Sequence, residues 1–333
     1  MRTTERTHIA QNRALVLTAL VWLGLGTYPL AVAQVRKDPA STPHNGLIAF
    51  NQFDDLGRPH IIVVEPDGSG FQQFPDPSQS CFQCAESPAW TPDGSRIFFD
   101  SDAAGNIHIF SENTDGSDLK QVTFGANFEG FPSIAPDGAS MAYDGPGGIN
   151  VSNIDDTGAH NITFGPAGGW DSLPDFSPDG KRIAFWRVPH GNCPRRPFAC
   201  RNFISAIFVV NADGTGLHRI TDWGRNWAGP KWSADGSKIL LHTYDDRGTL
   251  NGISADLWVV NPDGKGLQPL TRTREGSFSF GADWSPDGTK IVFANYQFPD
   301  DHTDLKIMNA DGTGVTTLIN CGACNLANWG THP

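Results

Sequence analysis

The sequence predicts an all-β fold, a six-bladed β-propeller with four antiparallel strands per blade. The motif Ala89-Trp90-Thr91-Pro92-Asp93-Gly94 returns around Ala135-Pro136-Asp137-Gly138, Phe176-Ser177-Pro178-Asp179-Gly180, Trp232-Ser233-Ala234-Asp235-Gly236 and Trp284-Ser285-Pro286-Asp287-Gly288. A second motif, Ile61-Ile62-Val63-Val64-Glu65-Pro66-Asp67-Gly68, has counterparts ending at Gly116, Gly158, Gly214, Gly264 and Gly312. Short strands and turns that repeat with a period of roughly 40 to 55 residues mark a propeller. The third observation is at the ends: Gly46-Leu47-Ile48-Ala49-Phe50 has no inner strand before it, and Leu326-Ala327-Asn328-Trp329 has no second strand after it.

Each element follows from these motifs. Strand A ends at the Trp or Phe before the first turn, and strand B is the Ile-Ala-Phe-like run after it. Strand C is the Ile-Phe-Val-Val-Asn-like run. Strand D is a short run ending near Thr, such as Leu217-His218-Arg219-Ile220-Thr221. Pro presets φ at the second turn position, Asp tolerates the third, and Gly takes the positive φ that follows. These are hairpin turns between strands of period two. The C-terminal strand is expected to serve as strand A of blade one, which closes the ring and removes two open edges. Residues 46–333 then form the propeller, 288 residues or 48 per blade.

Residues 1–33 read as a secretory signal peptide. Arg2, Arg6 and Arg13 precede an apolar run from Ala14 to Gly26, and Ala31-Val32-Ala33 is a small-x-small cleavage pattern. Residues 34–45 are a short linker. The apolar run is too short for a comfortable membrane span, and no further span is expected. No Cys follows the cleavage site, so no lipid anchor is expected. Removing three Arg and one Glu from 24 basic and 36 acidic residues leaves a balance of −14. That balance argues against a nucleic-acid partner and favours solubility and cationic or neutral ligands. Six cysteines in an exported chain imply disulfides, here within the near pairs Cys81/Cys84, Cys193/Cys200 and Cys321/Cys324. Two Cys-x-x-Cys pairs on adjacent loops also raise a zinc site, for which four sulfurs would have to converge.

Irregularity in a repeat protein marks its working face. The turns of one face are near-uniform Asp-Gly turns, whereas the B–C and D–A loops of the other vary. The B–C loop of blade four, residues 187–203, carries Arg187, His190, Arg195, Arg196 and Arg201, a basic cluster on an acidic chain. It suits an acidic group or a peptide gripped through Arg. Blade five adds His242 and Tyr244, and blade six adds Tyr296 and His302. Among the D–A aromatics, Trp223 and Trp227 are expected to be exposed because their neighbours are polar, whereas Trp90, Trp232 and Trp284 are expected in the core. Glu86, Glu129, Asp175, Lys231 and Asp283 are expected to line the channel near the starts of the A strands. They suit either a cation or a wet channel without one. No catalytic residue is assigned: there is no Gly-x-Ser-x-Gly elbow and no His-Glu-x-x-His spacing. No cofactor and no metal are expected.

The repeated Trp-x-Pro-Asp-Gly motif resembles the TolB-type propeller, a WD-like repeat family of bacterial envelope proteins. The same repeat occurs in the propeller domains of prolyl oligopeptidases and in oligogalacturonate lyases. The resemblance implies a partner docking over the channel mouth. TolB proteins of the Tol–Pal system carry an α/β domain before the propeller, which is not expected here, so that specific system is not implied. The resulting expectation is an exported, periplasmic or secreted, monomeric and non-enzymatic propeller that binds a protein or peptide of the cell envelope. The competing expectation is a metal-dependent lyase or hydrolase acting on acidic carbohydrate at the same face, with Arg195 or Arg196 holding a carboxylate.

Overall fold

The computed structural model describes residues 45–331, except 75–80, 82, 167–168, 190–203, 224, 247–252, 274–275, 299 and 301. It is a ring of six antiparallel blades. In blades two to six the strands run A, B, C, D in chain order. Their A and B strands are Glu86–Trp90 and Arg96–Ser101, Gly130–Ile134 and Ser140–Gly145, Trp170–Phe176 and Arg182–Val188, Asn226–Trp232 and Ile239–Asp246, and Ser277–Trp284 and Lys290–Gln297. Blade one joins both ends of the described chain: Cys324–Thr331 lies beside Asn45–Phe53, followed by Pro59–Val64 and Gln72–Gln73. Ile48 opposes Trp329 and Ala49 opposes Asn328, so the expected seam is present.

The repeated motif builds the same turn each time. At the first A–B turn, Gly94 N donates to Thr91 O at 2.8 Å, and Gly94 has a φ of 66°. Asp93 Oδ1 accepts from Ser95 N at 3.1 Å and from the Thr91 hydroxyl at 2.6 Å. The turns at Asp179, Asp235 and Asp287 repeat the pattern. Bonds from these hydroxyls and amides to the ionised carboxylate hold Asp93, Asp179 and Asp235 below the usual range. The Thr that ends strand D has a matching duty. Thr123, Thr163, Thr221 and Thr271 accept through their hydroxyls from the amides of Ile109, Ile149, Ile207 and Leu257 at 3.0, 3.0, 2.9 and 2.9 Å. Four C strands are thereby tied to the loop that follows strand D.

The motif aromatics pack between blades, and Trp90, Trp232 and Trp284 are buried as expected. The Trp90 indole donates to Asn328 O of blade one at 3.3 Å, and the Trp284 indole donates to Lys231 O of blade five at 3.2 Å.

Every A strand also carries a bulge three residues before the aromatic. Ser87, Phe131, Leu173, Gly229, Gly281 and Leu326 occupy the left-handed region with φ of 56, 54, 53, 58, 56 and 47°. The register slips there in all six blades, for example between Glu86/Asp100 and Ala89/Phe98. One extra residue per inner strand re-aims the side chains before it. Glycine is required in two of these bulges by crowding as well as by φ. A Cβ on Gly229 would lie 2.6 Å from His242 Cε1, and one on Gly281 would lie 2.7 Å from Leu326 N.

Candidate functional site

The B–C and D–A loops share one face, as the topology requires. That face carries the four most exposed large apolar side chains among the described residues: Phe164 at 75%, Phe124 at 71%, Leu56 at 65% and Phe298 at 58%. Phe124 and Phe164 each follow the latch Thr of their blade, so the D strand that fixes Thr123 and Thr163 inward turns the next residue outward.

The structure places the expected site residues unevenly. Arg187 lies in strand B of blade four, not in the loop. Its guanidinium is paired to buried Asp171 at 2.6 and 2.7 Å, donates to Phe164 O at 3.2 Å, and lies 4.8 Å from the Phe208 ring centroid. Trp227, expected at the surface, is fully buried. Asp222 accepts its indole N–H at 2.9 Å, and its ring packs edge-on against Trp258 at 5.7 Å. Trp223 is half-buried against Phe208 at 5.7 Å. His242 is buried, and desolvation lowers its pKa to about 4, so it is neutral at physiological pH. Tyr296 is buried against Phe278 at 5.5 Å. His302 starts strand C of blade six and bonds Asp304 at 2.8 Å and Asn320. His190, Arg195, Arg196, Arg201, Cys193, Cys200 and the Tyr244 side chain lie outside the described residues.

Cys81–Cys84 and Cys321–Cys324 are disulfides, so these sulfurs pair within their loops and do not converge as a zinc site would need. Among the described residues, no group of three or more His, Cys, Asp or Glu is arranged to hold a metal ion.

Of the five residues expected near the starts of the A strands, only Glu86 and Glu129 lie there; Asp175, Lys231 and Asp283 are the next-to-last residues of their strands, so the five fall into two tiers. Asp175, Lys231 and Asp283 lie directly before the aromatics, at the Asp-Gly end. There the side chain of one blade accepts from the backbone of the next: Asp175 from Trp232 N at 2.7 Å, Asp283 from Trp329 N at 3.0 Å, Asn328 from Trp90 N at 3.3 Å and Ser133 from Phe176 N at 3.1 Å. Lys231 lies 3.3 Å from Asp175. Burial works against its charge, but Asp175 and Asp283 outweigh that and raise its pKa. Burial pushes Asp283 up to about 6 although Lys231 opposes it. A cavity of about 190 Å³ opens beside this girdle, lined in part by Ala89, Ser133, Asp175, Lys231 and Asn328.

The second tier lies toward the loop face, where Glu86 opposes Asp100 in the register of blade two. Gln83 Nε2 bridges the two carboxyls, at 2.6 Å from Glu86 Oε2 and 3.4 Å from Asp100 Oδ1. Asp100 Oδ2 accepts from Phe131 N of blade three at 2.9 Å. Burial, with the Asp100 charge added, pushes Glu86 up to about 8. Burial pushes Asp100 up to about 7 against its hydrogen bonds. Beside them Glu129 contacts His108 at 3.2 Å and accepts from Gly125 N at 2.9 Å. Sequence reasoning missed Asn51, Gln83 and Asp100. The signal lay in strand B, three residues after the one that faces the motif position ending strand A: Asn51, Asp100 and Asp144 in blades one to three, but Trp186, His242 and Ala294 in blades four to six.

Comparisons with known proteins bear on the fold. No protein-family model matches the chain. An uncharacterized protein of Agrobacterium fabrum is 28% identical over 270 residues, which cover 73% of this chain and 80% of that protein. The Tol-Pal system protein TolB of Anaeromyxobacter dehalogenans is 32% identical over 98 residues, 29% of this chain and 20% of that protein. Among solved structures, TolB from Acinetobacter baumannii matches with a TM-score of 0.63 at 22% identity, covering 85% of this chain and 66% of TolB. An oligogalacturonate lyase in complex with manganese matches with a TM-score of 0.55 at 14% identity, covering 83% of this chain and 74% of the lyase. The chain thus has the fold of the TolB-like propellers.

Proposed function

We propose that this TolB-like propeller is exported and binds a protein or peptide partner of the bacterial envelope through its B–C/D–A face, without catalysing a reaction. The observation that carries the reading is that the four most exposed large apolar side chains among the described residues, Leu56, Phe124, Phe164 and Phe298, all lie on that face. Exposed apolar groups rimmed by polar residues mark interaction surfaces. On the opposite face the large apolar residues just before the D strands, Phe71, Leu119, Leu217, Leu267 and Val315, are less exposed, at 37 to 48%. Asp175, Asp283 and Asp100 each accept from a backbone amide of the next blade.

The test is a crosslinking pull-down from envelope extracts with three proteins: the wild type, a Phe124→Ser/Phe164→Ser variant and an Arg195→Glu/Arg196→Glu variant. A Leu217→Ser/Leu267→Ser variant on the other face is the control. A partner lost with the loop-face variants and kept with the control supports the reading. An identical partner set for all four proteins refutes it, as does manganese-dependent cleavage of a polyuronide by the purified wild type.

A further inference from the structure

We propose that the channel end beside Ala89 is a subsite for a primary carboxamide, the group that ends an asparagine or glutamine side chain. It lies on the Asp-Gly side of the ring, away from the loop face, and does not depend on the partner proposed there. The residue before the motif position of each blade forms a girdle: Asn328, Ala89, Ser133, Asp175, Lys231 and Asp283 in blades one to six. Four of these side chains accept from the motif amide of the following blade: Asn328 from Trp90 N, Ser133 from Phe176 N, Asp175 from Trp232 N and Asp283 from Trp329 N. Lys231 has no acceptor to offer Trp284 N, and there Asp283 of the same blade takes the bond at 2.9 Å. Ala89 has none to offer Ile134 N of blade three.

Ala135 N donates to Ser140 O of strand B at 2.9 Å, so the preceding amide, Ile134 N, points to the other side of its strand, toward the channel. Trp90 N behaves in the same way: its neighbour Thr91 N donates to Arg96 O at 3.0 Å, and Trp90 N turns to Asn328. Among the described residues, Ile134 N meets no such acceptor. The Ala89 methyl is buried at the junction of blades two and three, with Ile134 packed nearby, so a longer side chain there would be aimed as its counterparts are. The cavity of about 190 Å³ lies where that side chain is missing, and Ala89, Ile134 and Asn328 line it. A backbone amide that faces a cavity without a partner asks for an acceptor oxygen.

The girdle itself shows which group fits. Asn328 uses both ends of its carboxamide: Oδ1 accepts from Trp90 N, and Nδ2 donates to Asp283 Oδ2 of the preceding blade at 2.9 Å. Lys231 likewise donates to the preceding blade, to Asp175 at 3.3 Å. A carboxamide beside Ala89 would accept from Ile134 N and donate to Asn328 Oδ1, which has a second lone pair. An ammonium has no acceptor for Ile134 N. A carboxylate has no N–H for Asn328, and it adds negative charge to a girdle that already holds two carboxyl groups against one ammonium. A hydroxyl carries donor and acceptor on one atom, whereas Asn328 spans its two partners with two.

The experiment titrates the purified protein with propionamide, sodium propionate and n-propanol, read by backbone amide resonances in two-dimensional NMR. Propionamide should bind saturably and about tenfold more tightly than n-propanol or propionate, the worth of one further hydrogen bond. The Ile134 amide resonance should move with it, and the Ile207 amide, tied to Thr221, should stay. Ala89→Asn supplies the same group from the chain itself. It should abolish propionamide binding and raise the melting temperature. Ala89→Val, which fills space without polar atoms, should abolish binding without raising it. The wild-type titrations decide the matter even where a variant fails to fold. Equal binding of propionate or n-propanol, an Ile134 amide that does not move, or no saturable binding at all would each overturn the subsite. So would propionamide binding undiminished in Ala89→Asn, or an Ala89→Asn protein that melts below the wild type.

Discussion

Replacing Glu86 by Gln should stabilise the propeller in base and do little in mild acid. Burial and the nearby Asp100 charge raise Glu86 from 4.5 to about 8 in the folded chain. In the unfolded chain the group returns to its ordinary value. Between these two values the folded state holds a proton that the unfolded state has released. The stability tied to that proton is therefore fully present below about pH 4.5 and is lost as pH rises toward 8. Each tenfold change in proton affinity corresponds to about 1.4 kcal/mol, so the full rise would amount to roughly 5 kcal/mol. Glu86 keeps an opening to solvent, and discounting by half for screening leaves about 2 to 3 kcal/mol.

Gln keeps the size of the side chain and cannot ionise. The gap in melting temperature between Glu86→Gln and wild type should therefore widen by about 5 °C between pH 5 and pH 9, at roughly 2 °C per kcal/mol for a chain of this size. The assay is a melting curve by circular dichroism at half-unit steps of pH, at fixed ionic strength. Parallel curves for the two proteins would refute the reasoning, because they would mean that Glu86 titrates at its ordinary value and that the pair is not buried. A gap that widens toward acid would refute its sign.

Three further outcomes follow from the frame. Asp283→Ala removes the acceptor of Trp284 N, Trp329 N and the Asn328 amide, and it should cost about 2 to 4 kcal/mol in urea unfolding because buried donors are left unpaired at the seam. Gly229→Ala combines a left-handed φ of 58° with a Cβ 2.6 Å from His242 Cε1. It should cost about 2 kcal/mol or more in the same assay, whereas alanine at an ordinary strand position would cost little. Acid should act on the turns: hydrogen bonds hold their aspartates below the usual range, as low as about 2 for Asp287, so their stability is present above the ordinary carboxylate pKa and is lost as pH falls through the depressed values. Far-UV circular dichroism from pH 5 to pH 2 checks this.

The parts of this molecule that were legible in its sequence are those whose interactions are local. A turn aspartate bonds the amide two residues on, so Asp93-Gly94-Ser95 announces its own structure. The seam was legible because counting half-motifs needs no side-chain geometry. Contacts between strands far apart in the sequence were harder to read. Trp227 sits among polar sequence neighbours, yet its indole meets Asp222 and its ring meets Trp258, thirty-one residues away in the chain. Arg187 reads as the start of a basic loop, but the strand continues through it and delivers it to Asp171. Asp100 follows Ile97-Phe98-Phe99 and looks like the frayed end of a core strand.

The repeat itself offered the better test. Six copies of one backbone position should carry one kind of residue if they only pack. The position of Asn51 and Asp100 in strand B does not: it is Asn or Asp in three consecutive blades and Trp, His or Ala in the other three. This position therefore varies in chemistry more than closing a ring requires, with a carboxyl or carboxamide in three blades and an indole, an imidazole or a methyl group in the other three. In blade two it holds two carboxyls against their own burial, and in blade one it leaves an amide unbonded. A sequence that breaks its own repeat at a cost in stability does so most often where packing is not the governing requirement, so the departure from the repeat, and not the repeat, is where function should be sought.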